Sequence, residues 1–317
     1  MKKTSAKFLA GFVIALGSMA AGASPSNGFT VVENFESFGA TDYLTDHASW
    51  TTSDQWLNNG IVSENAYPNN GNAGFIGGLY GGPTPPLPVN LNRSISYDTT
   101  QNLVTLRWVQ TLANPNPDDN VRDTFGWAVK DTLNRTLASI KFENGNFQNT
   151  AGNQSFDTKV DAYSGNWNGQ QVQTGNNAQE ALGLFNRGGP TVFEIALNTT
   201  GHYFSLAFAE TGGSYDTTGS YNFINLVDYA PVGVSGDFEV GALTALWNLE
   251  NTSSTGTGYL ENGNPVTLYT GAGGNIMYFD NIAVNATTAA AIPEPSSLAL
   301  LGIGSVVLLG LRKSRKA

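Results

Sequence analysis

The chain has 317 residues, with 15 Lys and Arg against 25 Asp and Glu, two His and no Cys. This acidic balance argues against nucleic acid and anionic lipid as partners of the folded part, because both require a basic surface. The lack of cysteine excludes disulfides, thiolate metal sites and thiol nucleophiles, so stability must come from a hydrophobic core or a metal.

Met1-Lys2-Lys3 and Lys7 form a basic opening, Phe8 to Met19 is apolar, and Ala21-Gly22-Ala23 has the small-x-small form of a signal-peptidase site. Residues 1–23 therefore read as a signal peptide, with the mature chain starting at Ser24. A retained N-terminal anchor is the alternative, but the apolar stretch is short and runs directly into the cleavage pattern. The other basic cluster lies at the far C-terminus. With both ends set aside, residues 24–289 hold eight basic and 24 acidic side chains, a net charge of −16. Such a surface suits a soluble exported protein and attracts divalent cations.

Residues 24–286 are rich in Gly, Asn, Thr and aromatics, with short alternating segments between turn signals. This pattern predicts a single all-β domain, an antiparallel β-sandwich. The segment from Asn69 to Pro88, with its Gly-Gly pairs and four prolines, reads as a long loop. In Asn102 to Leu112, Val104, Leu106, Trp108 and Leu112 fall on one face and Thr105, Arg107 and Thr111 on the other. Phe125, Trp127 and Val129 alternate next, and Ala138, Ile140 and Phe142 follow a turn at Asn134-Arg135. Phe193, Ile195 and Leu197 face Phe204, Leu206 and Phe208 across Asn198 to Gly201, a predicted hairpin. Val240 to Leu249 and Ile276 to Val284 add two strands. No stretch keeps a 3.6-residue period over three turns, and βαβ alternation is absent. Thr287 to Ala291 is a small-residue linker.

Catalytic signatures are weak. His47 and His202 have no partner pattern for a metal or a triad, and no Gly-x-Ser-x-Gly elbow occurs. The pairs Glu33/Glu36 and Asp237/Glu239 read as solvated surface charge. Tyr80, Tyr163 and Trp167 lie in Gly- and Asn-rich stretches and are the candidate ligand-binding rings, since sugars stack on exposed aromatics; ordinary packing is the alternative for Trp167. Trp108, Trp127 and Trp247 are expected in the core.

Val31-Val32-Glu33-Asn34-Phe35-Glu36 opens the domain and Tyr278-Phe279-Asp280-Asn281-Ile282-Ala283-Val284 closes it. This pairing resembles the jelly-roll carbohydrate-binding modules and concanavalin-like sandwiches, whose first and last strands lie side by side. In several of these a carboxylate after the first strand's Phe and an Asp in the last strand hold a structural calcium. The resemblance implies Glu36 and Asp280 as metal ligands for one Ca²⁺. The residues also suit calcium on their own terms, because it takes hard oxygen ligands. Asp280 is in phase with Ile276, Tyr278, Ile282 and Val284, an apolar face on which a carboxylate must be paired, hydrogen-bonded or metal-bound. A hydrogen-bonded edge residue is the alternative.

The last segment, 292–317, runs Ile292-Pro293-Glu294-Pro295, then uncharged Leu298 to Leu311, then Arg312-Lys313-Ser314-Arg315-Lys316-Ala317. As a helix, residues 298–311 would span roughly 21 Å, short of the ~30 Å hydrocarbon core, with the basic cluster on the cytoplasmic side. The prolines hold Glu294 on an extended segment outside the membrane. The order resembles the PEP-CTERM sorting signal of bacterial exported proteins, with Pro293, Glu294 and Pro295 as the signal. It implies export by signal peptidase, processing by the membrane enzyme exosortase, and delivery to the cell surface or extracellular matrix of a Gram-negative bacterium. The function expected is structural or adhesive and non-enzymatic. A glycan-binding, lectin-like module acting on exopolysaccharide is the alternative, and a glycoside hydrolase a distant one.

Overall fold

The computed structural model describes residues 28–39, 42–52, 59–62, 71–77, 89–113, 124–148, 155–167, 184–185, 190–210, 221–248, 255–259, 265–269 and 276–289. Residues 1–23, expected to be a signal peptide, Tyr80 and the tail 292–317 lie outside the described residues. In chain order the strands are β1 (Thr30–Glu33), β2 (Trp50–Thr52), β3 (Asn59–Val62), β4 (Ala73–Gly77), β5 (Val89–Ser94) and β6 (Leu103–Ala113). There follow β7 (Thr124–Asp131), β8 (Thr136–Gln148), β9 (Ser155–Ser164), β10 (Leu184–Phe185), β11 (Thr191–Asn198) and β12 (Tyr203–Glu210). The last are β13 (Ile224–Pro231), β14 (Val240–Asn248), β15 (Thr255–Tyr259), β16 (Pro265–Tyr269) and β17 (Ile276–Thr287). Among the described residues the only helical turn is a short 3₁₀ segment, Leu44–Asp46.

The expected all-β antiparallel sandwich is what forms. One sheet runs β13-β12-β11-β6-β17-β4-β3, with β1 also paired to β17; the other runs β10-β9-β8-β7-β14-β5-β2; β15 and β16 pair by themselves. The inward rows come from the alternating segments. Leu106, Trp108, Phe193, Ile195 and Phe204 of one sheet meet Phe125, Trp127, Ile140, Phe142 and Trp247 of the other, all at most 1 % exposed. Phe142 lies edge to face with Phe193, ring centres 5.1 Å apart, and Trp108 lies 5.1 Å from Trp127. Both indoles donate to one acceptor, Gln110 Oε1, at 3.0 and 2.7 Å. Their N–H groups therefore stay satisfied inside the core.

The polar face of β6 is buried too, because the outer face of its sheet is covered. Tyr221 and Phe223 pack over Ala73, Val109 and Val192. Arg107 sits under the Phe29 ring, 4.0 Å from its centroid, and 5.2 Å from that of Phe223.

Two expectations are corrected. The segment 69–88 is not loop throughout, since Ala73–Gly77 is strand β4 inside a sheet. Glycine at 74 is what its place requires: a Cβ there would lie 2.7 Å from the Phe279 ring and 2.8 Å from that of Phe35. The second correction concerns phase. Asp280 pairs with Val109 and Ala283 with Arg107, so β17 carries one extra residue between them, a bulge with Asn281 at φ 51°. The bulge inverts the alternation. Tyr278 packs with the outer cluster, whereas Ile282 and Val284 belong to the central core, so Asp280 does not share an inward row with them.

Candidate functional site

β17 has two different neighbours along one edge. Gly77 to Gly74 of β4 pair with Ile276 to Phe279, and Thr30 to Glu33 of β1 pair with Val284 to Ile282. The first and last strands are therefore adjacent, as the end motifs imply. Asp280 and Asn281 sit where one neighbour gives way to the other, and the end of β1 and the start of β4 converge on them. This junction gathers the three carboxylates of Glu33, Glu36 and Asp280.

Each carboxylate is held differently. Glu33 is buried rather than solvated, which corrects its reading as surface charge. Its Oε2 accepts Trp50 Nε1 at 3.2 Å and lies 3.3 Å from Arg93 Nε, and its Oε1 accepts Phe35 N. Phe35 has φ 57°, a left-handed corner that buries its ring completely and leaves Glu36 exposed beside it. Glu36 Oε1 accepts Asn72 N at 3.1 Å and lies against Gly71, which has φ 81° and leaves no room there for a Cβ. Asn72 Nδ2 donates to Phe38 O at 2.9 Å, which ties the approach to β4 onto the corner after β1.

Asp280 is 2 % exposed, and among the described residues its oxygens accept from the next residue alone: Asn281 N to Oδ1 at 2.6 Å and Asn281 Nδ2 to Oδ2 at 3.1 Å. Among the described residues no Lys or Arg pairs with it. Burial pushes its pKa up to about 8, and the Glu36 and Glu33 carboxylates push the same way, against the Asn281 N–H. A buried carboxylate without a cationic partner is neutralised by a proton or by a hard cation. The all-oxygen donor set of Glu36 and Asp280 fits calcium in that respect. Among the described residues no group of three or more acidic or histidine side chains is arranged as a metal cage, so further ligands would be backbone carbonyls or water.

Of the candidate sugar-binding rings, Trp167 and Tyr163 are among the described residues. Trp167 is half-buried against the outer face of β7, where a Cβ on Gly126 would lie 2.6 Å from its ring. Tyr163 is half-buried opposite Ser139. These two are not brought together with Glu36 or Asp280 by any described contact. Among the described residues the most exposed rings are Tyr43, Tyr203 and Tyr229, at 43, 43 and 62 %. Tyr203 and Tyr229 stand edge to face, ring centres 6.2 Å apart. The alternation around Phe204 already points Tyr203 outward. The histidines are packed: His47 stacks on Phe38 at 3.5 Å with Nε2 3.2 Å from Asp42, and His202 lies 5.5 Å from Phe238.

Among known proteins, residues 291–316 match the PEP-CTERM protein-sorting motif. No curated protein matches the chain. Solved structures similar to it include a lectin from Bauhinia forficata in complex with GalNAc, at TM-score 0.40 and 9 % identity over 83 % of this chain and 99 % of that one. Another is the catalytic domain of a glycoside hydrolase family 131 protein from Coprinopsis cinerea, at TM-score 0.43 and 11 % identity over 82 and 98 %. A sialidase matches at TM-score 0.37 and 9 % identity over 81 % of this chain, which spans 19 % of the sialidase's length. Among the described residues no helix is long and apolar enough to cross a membrane; the tail segment 298–311 is not one of them. The sorting motif at 291–316 marks the chain as an exported protein of the exosortase route, anchored through its C-terminus.

Proposed function

We propose that this is a non-enzymatic protein of the cell surface or extracellular matrix of a Gram-negative bacterium, structural or adhesive, delivered by its tail. The observation that carries this reading is the sorting motif at 291–316, joined to a sandwich whose ends are tied together through β1 and β17. The carboxylate pair Glu33/Glu36 serves structure, since Trp50 and Arg93 hold one member and Asn72 the other. A structural calcium at Glu36 and Asp280 belongs to the same reading as a clasp between first and last strands. Replacing Glu294 with Ala is expected to leave an unprocessed, membrane-retained form in cell fractionation; unchanged processing and surface delivery would overturn the sorting part.

A second reading, a glycan-binding module acting on exopolysaccharide, is favoured by the exposed rings of Tyr203 and Tyr229. Polysaccharide pull-down separates the two, and activity on β-glucans lost in carboxylate variants would instead support a glycosidase.

A further inference from the structure

At one end of the sandwich, four loops border an open cleft of about 460 Å³, within the size range of small-ligand sites. They are the β5–β6, β7–β8, β11–β12 and β13–β14 connections, so both sheets contribute.

The walls are cross-linked before any ligand arrives. Asp131 Oδ1 accepts Leu133 N and Arg135 N, and Asp131 Oδ2 accepts Arg135 Nε at 2.6 Å. Arg135 then reaches across to the carbonyl of Asp237 at 3.2 Å, and Thr132 N donates to the carbonyl of Glu239 at 3.1 Å. Tyr97 Oη accepts Val240 N at 3.1 Å, which leaves its own O–H as a donor. Burial raises the phenol's pKa, and nearby Glu239 adds to this, so the hydroxyl keeps its proton.

These bonds employ the backbone of Asp237 and Glu239 and leave both carboxylates at the cleft, exposed to solvent. Apolar surface comes chiefly from Leu133, which is 72 % exposed, while Phe238 shows the cleft only the edge left by its burial in the core. Arg135 is already matched by Asp131, so the uncompensated charge is that of the two free acids. A phosphate, sulfate or uronate would be repelled. A neutral sugar meets what it needs: carboxylate acceptors for its hydroxyls, a phenol donor, and apolar surface for its C–H face. Rigid walls also reduce the ordering cost of binding.

We propose that this cleft binds a neutral hexopyranose unit of a polysaccharide. The assignment deepens the glycan-binding reading, and the experiment separates the two. The exported protein is titrated with free glucose, galactose, mannose and N-acetylglucosamine at millimolar concentration, with galacturonate as anionic control, while backbone amide shifts are followed by NMR. A neutral sugar is expected to shift the amides of Thr132, Arg135 and Phe238, and the Asp237→Ala/Glu239→Ala double variant to bind it at least about tenfold more weakly. The variant keeps the backbone cross-links, and an unchanged spectrum elsewhere verifies its fold. Leu133→Asp is a second, independent variant expected to weaken binding at an exposed position. Sugar binding that leaves these amides unmoved or ignores the variants overturns the cleft and leaves the glycan reading standing. No response to any sugar overturns both. Equal binding of galacturonate, or a response to calcium alone, overturns the assignment of a neutral sugar.

Discussion

Phe35 packs edge to face against Phe279, ring centres 5.7 Å apart, and the contact joins the corner after the first strand to the middle of the last. Both rings are fully buried, and Trp50 lies 5.9 Å from each. Gly74 gives them their floor. Phe279→Ala is expected to cost about 3–5 kcal/mol. Gly74→Ala, which adds one methyl, should cost about 1–3 kcal/mol by overpacking. Urea unfolding measures both. A Gly74→Ala protein as stable as the parent would show that the two rings do not close over this position.

Asp280 makes stability pH-dependent. Its folded pKa of about 8 lies above the ordinary carboxylate value of 3.8, so the folded state holds a proton that the unfolded state releases. This contribution is fully present below the unfolded value and is lost as pH rises through the folded one. In chelator, stability should therefore fall between pH 4 and pH 8, by at most about 1.4 kcal/mol per pH unit for one proton. Asp280→Asn mimics the protonated acid and should flatten that slope. An unchanged slope in the variant would place the titration elsewhere.

Calcium should also separate the same two proteins. A cation bound only by the folded form adds RT ln(1 + [L]/Kd), about 2.7 kcal/mol at a hundredfold excess over Kd. With Glu36 and Asp280 as ligands, calcium should raise the melting temperature of the parent, chelator should lower it, and Asp280→Asn should lose most of the response. Magnesium should substitute poorly, since it demands tighter octahedral geometry. Equal melting temperatures in chelator and in millimolar calcium would leave Asp280 as a protonated, hydrogen-bonded residue.

The sandwich was legible because its long strands alternate cleanly: Phe193, Ile195 and Leu197 face inward as their spacing predicts. The neighbourhood of β1 and β17 was legible from the end motifs. The placement of Asp280 was not, because a bulge leaves almost no trace in sequence and shifts every later residue of β17 to the opposite face. Strand β4 was hidden because its glycines read as loop, whereas Gly74 is there to admit two aromatic rings. The seat of Trp167 was hidden for a related reason: Gly126, on β7, makes the space that the indole fills. In each case what decides is a packing partner or a break in the ladder, and periodicity along one segment contains neither.

Arg107 tests the covered outer face. It is 2 % exposed, and its Nε and one terminal nitrogen both donate to Glu194 Oε2, at 3.0 and 2.6 Å. The rings of Phe29 and Phe223 flank the guanidinium, which can stack flat where an ammonium cannot. Removing the cation alone leaves Glu194, itself largely buried, without a partner. Arg107→Met is therefore expected to cost about 3 kcal/mol, and Arg107→Met/Glu194→Gln to recover part of that loss. Arg107→Lys keeps the charge but loses the fork and the stacking, and should recover less than half. Because Phe29 is held through this contact, each Arg107 variant should also speed proteolysis at the N-terminal segment ahead of β1. An Arg107→Lys protein with parental stability and parental protease resistance would reduce the arrangement to a simple charge pair.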